Sequence, residues 1–195
     1  MRDYPSLRWL GAGAILLTLS GQTINTVAVL YTTYRYHWTP GDVGLLMTLM
    51  GFSGMAVQTG LVRLAIAHLG EWTTMIGGLS LQALATASLA IAPTGPAYWV
   101  ACVALSLGGV GGPAWQALMS RQVGPTAQGR LAGASVGITS LTGMVAPFIF
   151  TGLFALAVRE KTPWLPLGTP FLLAGCMGAA AVIIAVRTRR KGLHA

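Results

Sequence analysis

The chain has 195 residues, of which 54% are hydrophobic and only 8% are charged, and its formal net charge is +8. A soluble globular domain carries roughly 25% charged residues, so this composition is typical of a membrane protein. Apolar stretches take up nearly the whole length, which leaves no room for a soluble catalytic domain. The basic residues lie at the ends of these stretches rather than in a patch suited to nucleic acid, so we expect neither an enzyme nor a nucleic-acid-binding protein.

Stretches free of Asp, Glu, Lys and Arg predict the membrane spans. A helix needs ~20 apolar residues to cross ~30 Å of hydrocarbon, and a charge at the bilayer centre costs ~2.5–3.5 kcal/mol on the insertion scale. The turn at 93–96 divides the longest stretch. The sequence therefore predicts an all-α polytopic membrane protein in which residues 1–195 form a single domain. Its predicted spans are 9–34, 43–63, 72–92, 97–120, 131–157 and 167–186.

The distribution of Lys and Arg predicts the orientation. Nine basic residues fall on the side of the amino terminus, and three fall on the other side. Cytoplasmic segments carry the excess of positive charge in membrane proteins, so we expect both termini in the cytoplasm. The nine are Arg2, Arg8, Arg63, Arg121, Arg130, Arg187, Arg189, Arg190 and Lys191; the three are Arg35, Arg159 and Lys161. The tryptophans at predicted boundaries are Trp9, Trp38, Trp72, Trp99 and Trp164.

Polar side chains inside the spans are the candidates for a substrate cavity. In the first span, Gln22, Asn25 and Thr26 share one helical face because they are three and four residues apart. Such a face forms hydrogen bonds to a neighbouring helix or lines a cavity, and the sequence leaves both interpretations open. Further candidates are Gln58 in the second span, Gln82 in the third and Gln116 in the fourth. We expect these amides to converge on one side of the bundle.

Two spans contain residues that disfavour a straight helix. The fourth span carries a glycine run that ends in Pro113, and the fifth carries Gly143 and Pro147. Inside a helix, Gly costs ~1 kcal/mol and Pro ~3 kcal/mol relative to Ala. Tight packing and a gating bend both account for this pattern. The candidates in the fourth span are Gly108, Gly109, Gly111, Gly112 and Pro113.

A stripe of small residues begins the fifth span. Gly129, Gly133 and Gly137 recur at four-residue spacing, which lets another helix approach closely. We expect this contact to lie within the fold. The sixth span has no polar centre and is expected to be a lipid-facing or packing helix.

Catalytic and cofactor motifs do not stand out. The segment Gly51-Phe52-Ser53-Gly54 has the Gly-x-Ser-Gly form of an intramembrane serine protease, a distant alternative. Such a serine needs a base within reach, and the three histidines lie in connections or the tail. We expect no metal and no cofactor, and we interpret Cys102 and Cys176 as small packing residues.

A longer motif resembles a known transporter family. The chain reads Pro113-Ala-Trp-Gln-Ala-Leu-Met-Ser-Arg-Gln-Val123 and continues through Gln128-Gly-Arg-Leu-Ala-Gly133 to Thr139-Ser-Leu-Thr-Gly143. With Gly21-Gln22 and His68-Leu-Gly-Glu71, these segments resemble the carboxy-terminal half of the tetracycline/proton antiporters of the major facilitator superfamily.

The resemblance implies one six-helix half of a twelve-helix drug exporter in the inner membrane. Gln22 and Asn25 would face the central cavity, and a cytoplasmic loop would run from Arg121 to Arg130. The transported species would be a drug-like small molecule, with protons as the counter-ion. The partner would be an amino-terminal half or a second copy.

Two positions differ from the family. Many of its members carry a His where this chain has Gly54, and an Asp where it has Gln82, which leaves proton coupling open. A truncated, non-transporting remnant or an assembly partner is the alternative function.

Overall fold

The computed structural model describes residues 5–121, 124, 127–160 and 166–192. Six of its helical segments are long and apolar enough to cross a membrane, so the predicted all-α, six-span fold is confirmed. Each overlaps one predicted span and extends beyond it at one or both ends. We call them spans one to six: Trp9–Tyr36, Pro40–Leu69, Glu71–Ile91, Gly95–Arg121, Gln128–Arg159 and Thr169–Arg189. Arg2, Gln122, Val123, Lys161 and Trp164, which figure in the sequence predictions, lie outside the described residues.

Three of the spans are interrupted helices. Span two contains a π-helical turn at Val57–Leu61 (the first π turn), span four has a break at 109–110, and span five contains a π-helical turn at Pro147–Thr151 (the second π turn). The helices are α1 Pro5–Tyr36, α2 Pro40–Ala56, α3 Val62–Leu69, α4 Glu71–Ile91, α5 Gly95–Gly108, α6 Gly111–Arg121, α7 Gln128–Ala146, α8 Gly152–Glu160 and α9 Thr169–Gly192.

Local signals explain where span two begins and ends. Thr39 caps α2: its backbone N–H donates to Asp42 Oδ2 at 2.9 Å, and the Asp42 N–H donates to Thr39 Oγ1 at 3.4 Å. Pro40 occupies the first turn, where its missing N–H has no cost. At the other end, Gly70 has φ +77°, a left-handed conformation that favours glycine, and it separates α3 from α4.

Pro113 explains the break in span four. A proline has no N–H to donate to the carbonyl four residues earlier, here that of Gly109, and its ring crowds that carbonyl. The chain forms tighter bonds instead, in which the Gly109 N–H donates to Ser106 O at 3.0 Å and the Val110 N–H donates to Leu107 O at 3.5 Å. Pro147 likewise opens the second π turn, whereas the first π turn contains no proline.

Spans one, three and six form a tightly packed group. On α9, a Cβ built on Gly175 would lie 2.9 Å from the Ala87 side chain, and one on Gly178 would lie 3.1 Å from Ala83. The Ser20 hydroxyl of α1 donates to the Ala174 carbonyl at 2.8 Å. Span six is therefore a packing helix in the core of the bundle.

Aromatic side chains close one end of this group. Tyr31, Tyr98 and Phe171 are fully buried and contact one another, with ring centroids 5.0–6.2 Å apart. The Tyr36 hydroxyl donates to the Ala92 carbonyl at 2.8 Å, and the Tyr31 hydroxyl donates to the Ala90 carbonyl at 3.4 Å. These contacts tie the end of span one to the end of span three.

The prediction that the glycine stripe of span five contacts another helix within the fold is wrong. A Cβ built on Gly129, Gly133 or Gly137 would meet no atom within 4 Å. The face of α7 that contains the buried residues Leu131, Thr142 and Ala146 packs into the fold instead. The stripe therefore lies on the outer surface of the six-helix bundle.

Candidate functional site

The amide cluster of span one is the centre of the candidate site. The Asn25 Nδ2 donates to Gln22 Oε1 at 3.1 Å, and the Thr26 hydroxyl donates to the Gln22 carbonyl at 3.0 Å. Asn25 is exposed, while Gln22 and Thr26 are half-buried. The Thr26 hydroxyl is thus satisfied by its own helix, whereas the paired amides keep further donors and acceptors on the open side of the helix.

Span five approaches this cluster at Gly143. A Cβ at Gly143 would lie 3.4 Å from the Gln22 Nε2, so a larger residue would crowd the amide. Pro147, four residues later, has no N–H to donate to the Gly143 carbonyl. Gly143 therefore brings a turn of span five with an incomplete helical hydrogen-bond pattern next to the Gln22 side chain.

The glycine run of span four packs against span three. A Cβ on Gly108 would lie 2.6 Å from the Gln82 backbone nitrogen, and a Cβ on Gly111 would lie 2.7 Å from the Leu79 backbone nitrogen. These two glycines lie on either side of the break, both face span three and permit contact between backbones. Gly112 meets no atom within 4 Å. The packing interpretation therefore accounts for Gly108 and Gly111, while Pro113 accounts for the break.

The remaining candidate amides are spread over three spans. Gln58 lies in the first π turn and is exposed, Gln116 lies on α6 and is exposed, and Gln82 on α4 is half-buried. Among the described residues, no hydrogen bond joins any of them to the pair of Gln22 and Asn25. The structure thus brings Gln22, Asn25 and Gly143 together, and the convergence of the other amides stays a prediction.

An ion pair joins the end of span four to the start of span three. The Arg121 Nη2 lies 2.7 Å from Glu71 Oε1. Glu71 opens α4 and Arg121 closes α6, so each charge also has the sign that the dipole of its own helix favours. The sequence predicts Arg121 as a basic residue at the start of a cytoplasmic loop, whereas its pairing with Glu71 depends on the antiparallel approach of two helices.

A groove runs along the end of span one beside span five, and sequence reasoning missed it. Its volume is about 990 Å³. Val29, Thr33 and Tyr34 form one wall, and Thr151, Phe154 and Ala155 form the other. His37 and Arg159 lie at its end. Asn25, Val29 and Thr33 follow one another at four-residue spacing, so the groove continues the same face of span one that carries the amide pair.

Within the described ranges, no group of three or more His, Cys, Asp and Glu residues is placed to hold a metal ion. Ser53 lies in α2, and His68 lies 15 residues further along the same span, which corresponds to ~22 Å at 1.5 Å per residue. His68 is therefore too far away to activate Ser53 as the protease alternative requires.

Comparison with known proteins gives one consistent result. No family model matches the chain. It is 30% identical over 177 residues to a class C tetracycline resistance protein of Escherichia coli, covering 91% of this chain and 42% of the relative. It is also 30% identical over 185 residues to the class H protein of Pasteurella multocida, covering 94% of this chain and 44% of the relative. The class B protein of Escherichia coli is 31% identical over 147 residues, which is 75% of this chain and 37% of the relative. The chain thus spans about two fifths of the length of these curated relatives.

Proposed function

Since this chain is a half-length relative of the tetracycline resistance proteins of the major facilitator superfamily, we propose that it is one six-helix half of a drug/proton antiporter. The match carries the proposal: it covers 91% of this chain but 42% of the class C relative, and the chain has six candidate spans. This half would act with a complementary half to export a small, drug-like molecule across the inner membrane.

The least buried spans support a partner half. In the most apolar 18-residue segment of each span, only 17% of span two and 28% of span five is buried, against 50% of span three. Lipid solvates exposed apolar side chains, but the open glycine stripe of span five is suited to close contact with another helix. We assign the exposed faces of spans two and five to the contact with the complementary half.

The amide pair of span one supports a substrate cavity. Gln22 and Asn25 present unused donors and acceptors on an exposed face inside a predicted span, where an unsatisfied polar group is costly. A wet cavity between two halves would satisfy these groups and bring them into contact with the cargo. Gln58, Gln82 and Gln116 are further candidates for the same cavity.

The charge pattern supports a cytoplasmic location for both termini. Nine of the 12 basic residues lie on one side of the predicted topology, which favours that side as the cytoplasmic one. The Glu71–Arg121 pair and Arg130 would then lie at the cytoplasmic face.

Proton coupling would depend on the complementary half. Ion-coupled transporters place ionisable groups such as Asp, Glu, Lys, Arg and His inside the membrane, and the interiors of the six predicted spans contain none of these five residue types. Gly54 and Gln82 occupy the positions where many members of the family carry His and Asp. We therefore assign the protonated group to the partner.

Co-expression tests this function. The chain would be produced in bacteria alone and together with the part of the class C protein that it does not match, and tetracycline accumulation would be measured in both strains. We expect reduced tetracycline accumulation only when both parts are present, because the proposed substrate cavity lies between the two halves. The class C part alone serves as the control.

A non-transporting membrane remnant or assembly partner is the second candidate. It predicts stable membrane insertion and association with the class C part but unchanged drug accumulation. Unchanged accumulation with every complementary half tried would contradict the transporter proposal.

A further inference from the structure

A second groove runs along the outer surface of the bundle between spans three and six. Its volume is about 460 Å³, which lies within the range of roughly 300–1,000 Å³ that is typical of ligand pockets. All of its lining residues belong to α4 and α9. The candidate amides and the glycine stripe lie elsewhere, so this groove is separate from the proposed substrate cavity and from the proposed contact with a complementary half.

Small residues form the floor of this groove, and larger apolar residues form its sides. Ala83 and Gly175 are buried at the floor, where a Cβ on Gly175 would lie 3.2 Å from the Ala83 carbonyl oxygen. Leu84 on span three is 70% exposed and Ile183 on span six is 52% exposed, and these two side chains form the sides. Because the helices touch at the floor, the groove is built into the packing of spans three and six.

The groove has the length and polarity that suit an alkyl chain. From Leu172 to Ile183 it follows α9 for about three turns, or ~17 Å at 1.5 Å per residue. This length is about half of the ~30 Å hydrocarbon core, which is the depth that one leaflet occupies. The lining is apolar except for the Ser80 hydroxyl and the Cys176 thiol. A single acyl chain therefore matches the groove in both respects.

Positive charge lies where α9 continues beyond the groove. Arg187 and Arg190 follow Ile183 by four and seven residues, so their positions are on the side of the helix that lines the groove. Arg187 is exposed. In the part of the chain that the structure describes, the ion pair joins Glu71 to Arg121 and does not involve Arg187. An anionic group at this end of the groove would therefore be attracted to α9.

The arginine end of α9 lies at the level of the lipid headgroups. A Cβ on Gly168 would meet the backbone of Ala90, and one on Gly178 would meet Ala83, so α4 and α9 are antiparallel. The end of α9 thus lies at the same membrane face as the start of α4, which carries Trp72. Since tryptophan favours the membrane–water interface, lipid phosphate groups lie at this level.

We propose that the groove between spans three and six binds an anionic phospholipid, with one acyl chain along the groove and the phosphate group beside Arg187. A zwitterionic lipid would fill the same apolar space but would gain less from the arginines, because its headgroup has no net charge. The site belongs to this chain alone, so its test is independent of whether the chain transports a drug.

Photo-crosslinking measures this binding. The full chain would be placed in phosphatidylcholine nanodiscs that contain a small fraction of phosphatidylglycerol with a diazirine on its acyl chain, and mass spectrometry would identify the cross-linked residues. We expect cross-links on both helices, at groove residues such as Leu84 and Cys176, and we expect unlabelled phosphatidylglycerol to suppress them. The same amount of diazirine-labelled phosphatidylcholine should give a lower yield at these residues.

Two substitutions locate the lipid on the groove. Arg187→Gln should lower the cross-linking yield about fivefold, the factor that one arginine near anionic lipid contributes. Arg63→Gln replaces an exposed arginine at the same membrane face on span two and should leave the yield unchanged. Ala179→Leu should exclude the acyl chain because leucine fills the groove. Ala56→Leu, which enlarges an exposed alanine of span two, is its control.

Equal labelling by the two lipids would overturn the proposal, as would a yield that either Arg187→Gln or Ala179→Leu leaves unchanged. These results would show that the groove contacts lipid without selecting it. If a variant fails to insert, the comparison of the two labelled lipids on the unmodified chain decides the question.

A second copy of this chain is the competing occupant. Cys176 is exposed in the groove, whereas Cys102 is buried, so a short bismaleimide added to native membranes reports on contact between two grooves. We expect no dimer joined through Cys176. Efficient formation of such a dimer would show that protein covers the groove and would refute the lipid site.

Discussion

Among the candidate residues, Gln22 has the surroundings most typical of a residue that binds a ligand. It is bonded to Asn25 on one side and approached by Gly143 on the other. That Gln22, Asn25 and Thr26 lie on one face of span one followed from their spacing. The approach of Gly143 did not, because contact between spans one and five depends on how the helices cross.

Replacing the amide tests its role. We expect Gln22→Ala, co-expressed with the class C part, to raise tetracycline accumulation toward that of cells lacking the chain, because a neutral hydrogen bond to a ligand contributes ~0.5–1.5 kcal/mol. Membrane levels of the variant should be unchanged. Gln128→Ala, an exposed amide at the start of α7, is the matched control, and equal effects of the two variants would contradict a cargo contact.

Among the helical elements, spans three and four show why a glycine run does not by itself indicate a gate. Gly108 and Gly111 lie against the backbone of span three, so their small size serves packing. The break itself follows from Pro113 and was predictable. Which glycines face the neighbouring helix was not, because the sequence does not state the rotation of span four about its axis.

This packing gives a stability prediction. We expect Gly108→Val to lower the free energy of unfolding by ~1–3 kcal/mol or more, because the new side chain would overlap the backbone of Gln82. Gly77→Val makes the same chemical change in the middle of α4, at an exposed position where a Cβ meets no atom within 4 Å. Unfolding in detergent would be compared for both variants, and equal losses would contradict the packing interpretation.

The six spans were predictable from the sequence. Of the two π turns that interrupt them, the second was signalled by a proline and the first was not. Charges mark the helix ends because burying a charge in lipid is costly, and this effect needs no knowledge of the fold. Pro147 signals the second π turn. The first π turn, Val-Gln-Thr-Gly-Leu, contains no residue that demands it, so its presence depends on packing around span two.

For the whole molecule, the outward glycine stripe is the feature expected of one half of an assembly rather than of a bundle that is complete by itself. Gly129, Gly133 and Gly137 fit the small-residue pattern of helix contacts, yet the bundle leaves them open. The pattern predicted that a contact exists but did not identify the surface that makes it. The groove beside span one was likewise not predictable, since it arises between helices distant in sequence.

The glycine stripe predicts which substitution weakens association of this chain with a complementary half. We expect Gly133→Leu to reduce co-purification of the chain with the class C part, because a bulky side chain prevents close helix approach. Insertion and detergent stability should be retained. Gly77→Leu, on an exposed and open position of span three, is the control, and undiminished association of the Gly133 variant would place the interface elsewhere.

The packing of span six also has a consequence for biosynthesis. Its glycines contact span three, and the Ala174 carbonyl accepts a hydrogen bond from Ser20 of span one, so the core joins segments that leave the ribosome far apart in time. Spans one and three lack span six, the helix that both of them contact, until α9 has been translated. A nascent chain arrested before residue 169 should therefore remain an open bundle, susceptible to membrane proteases.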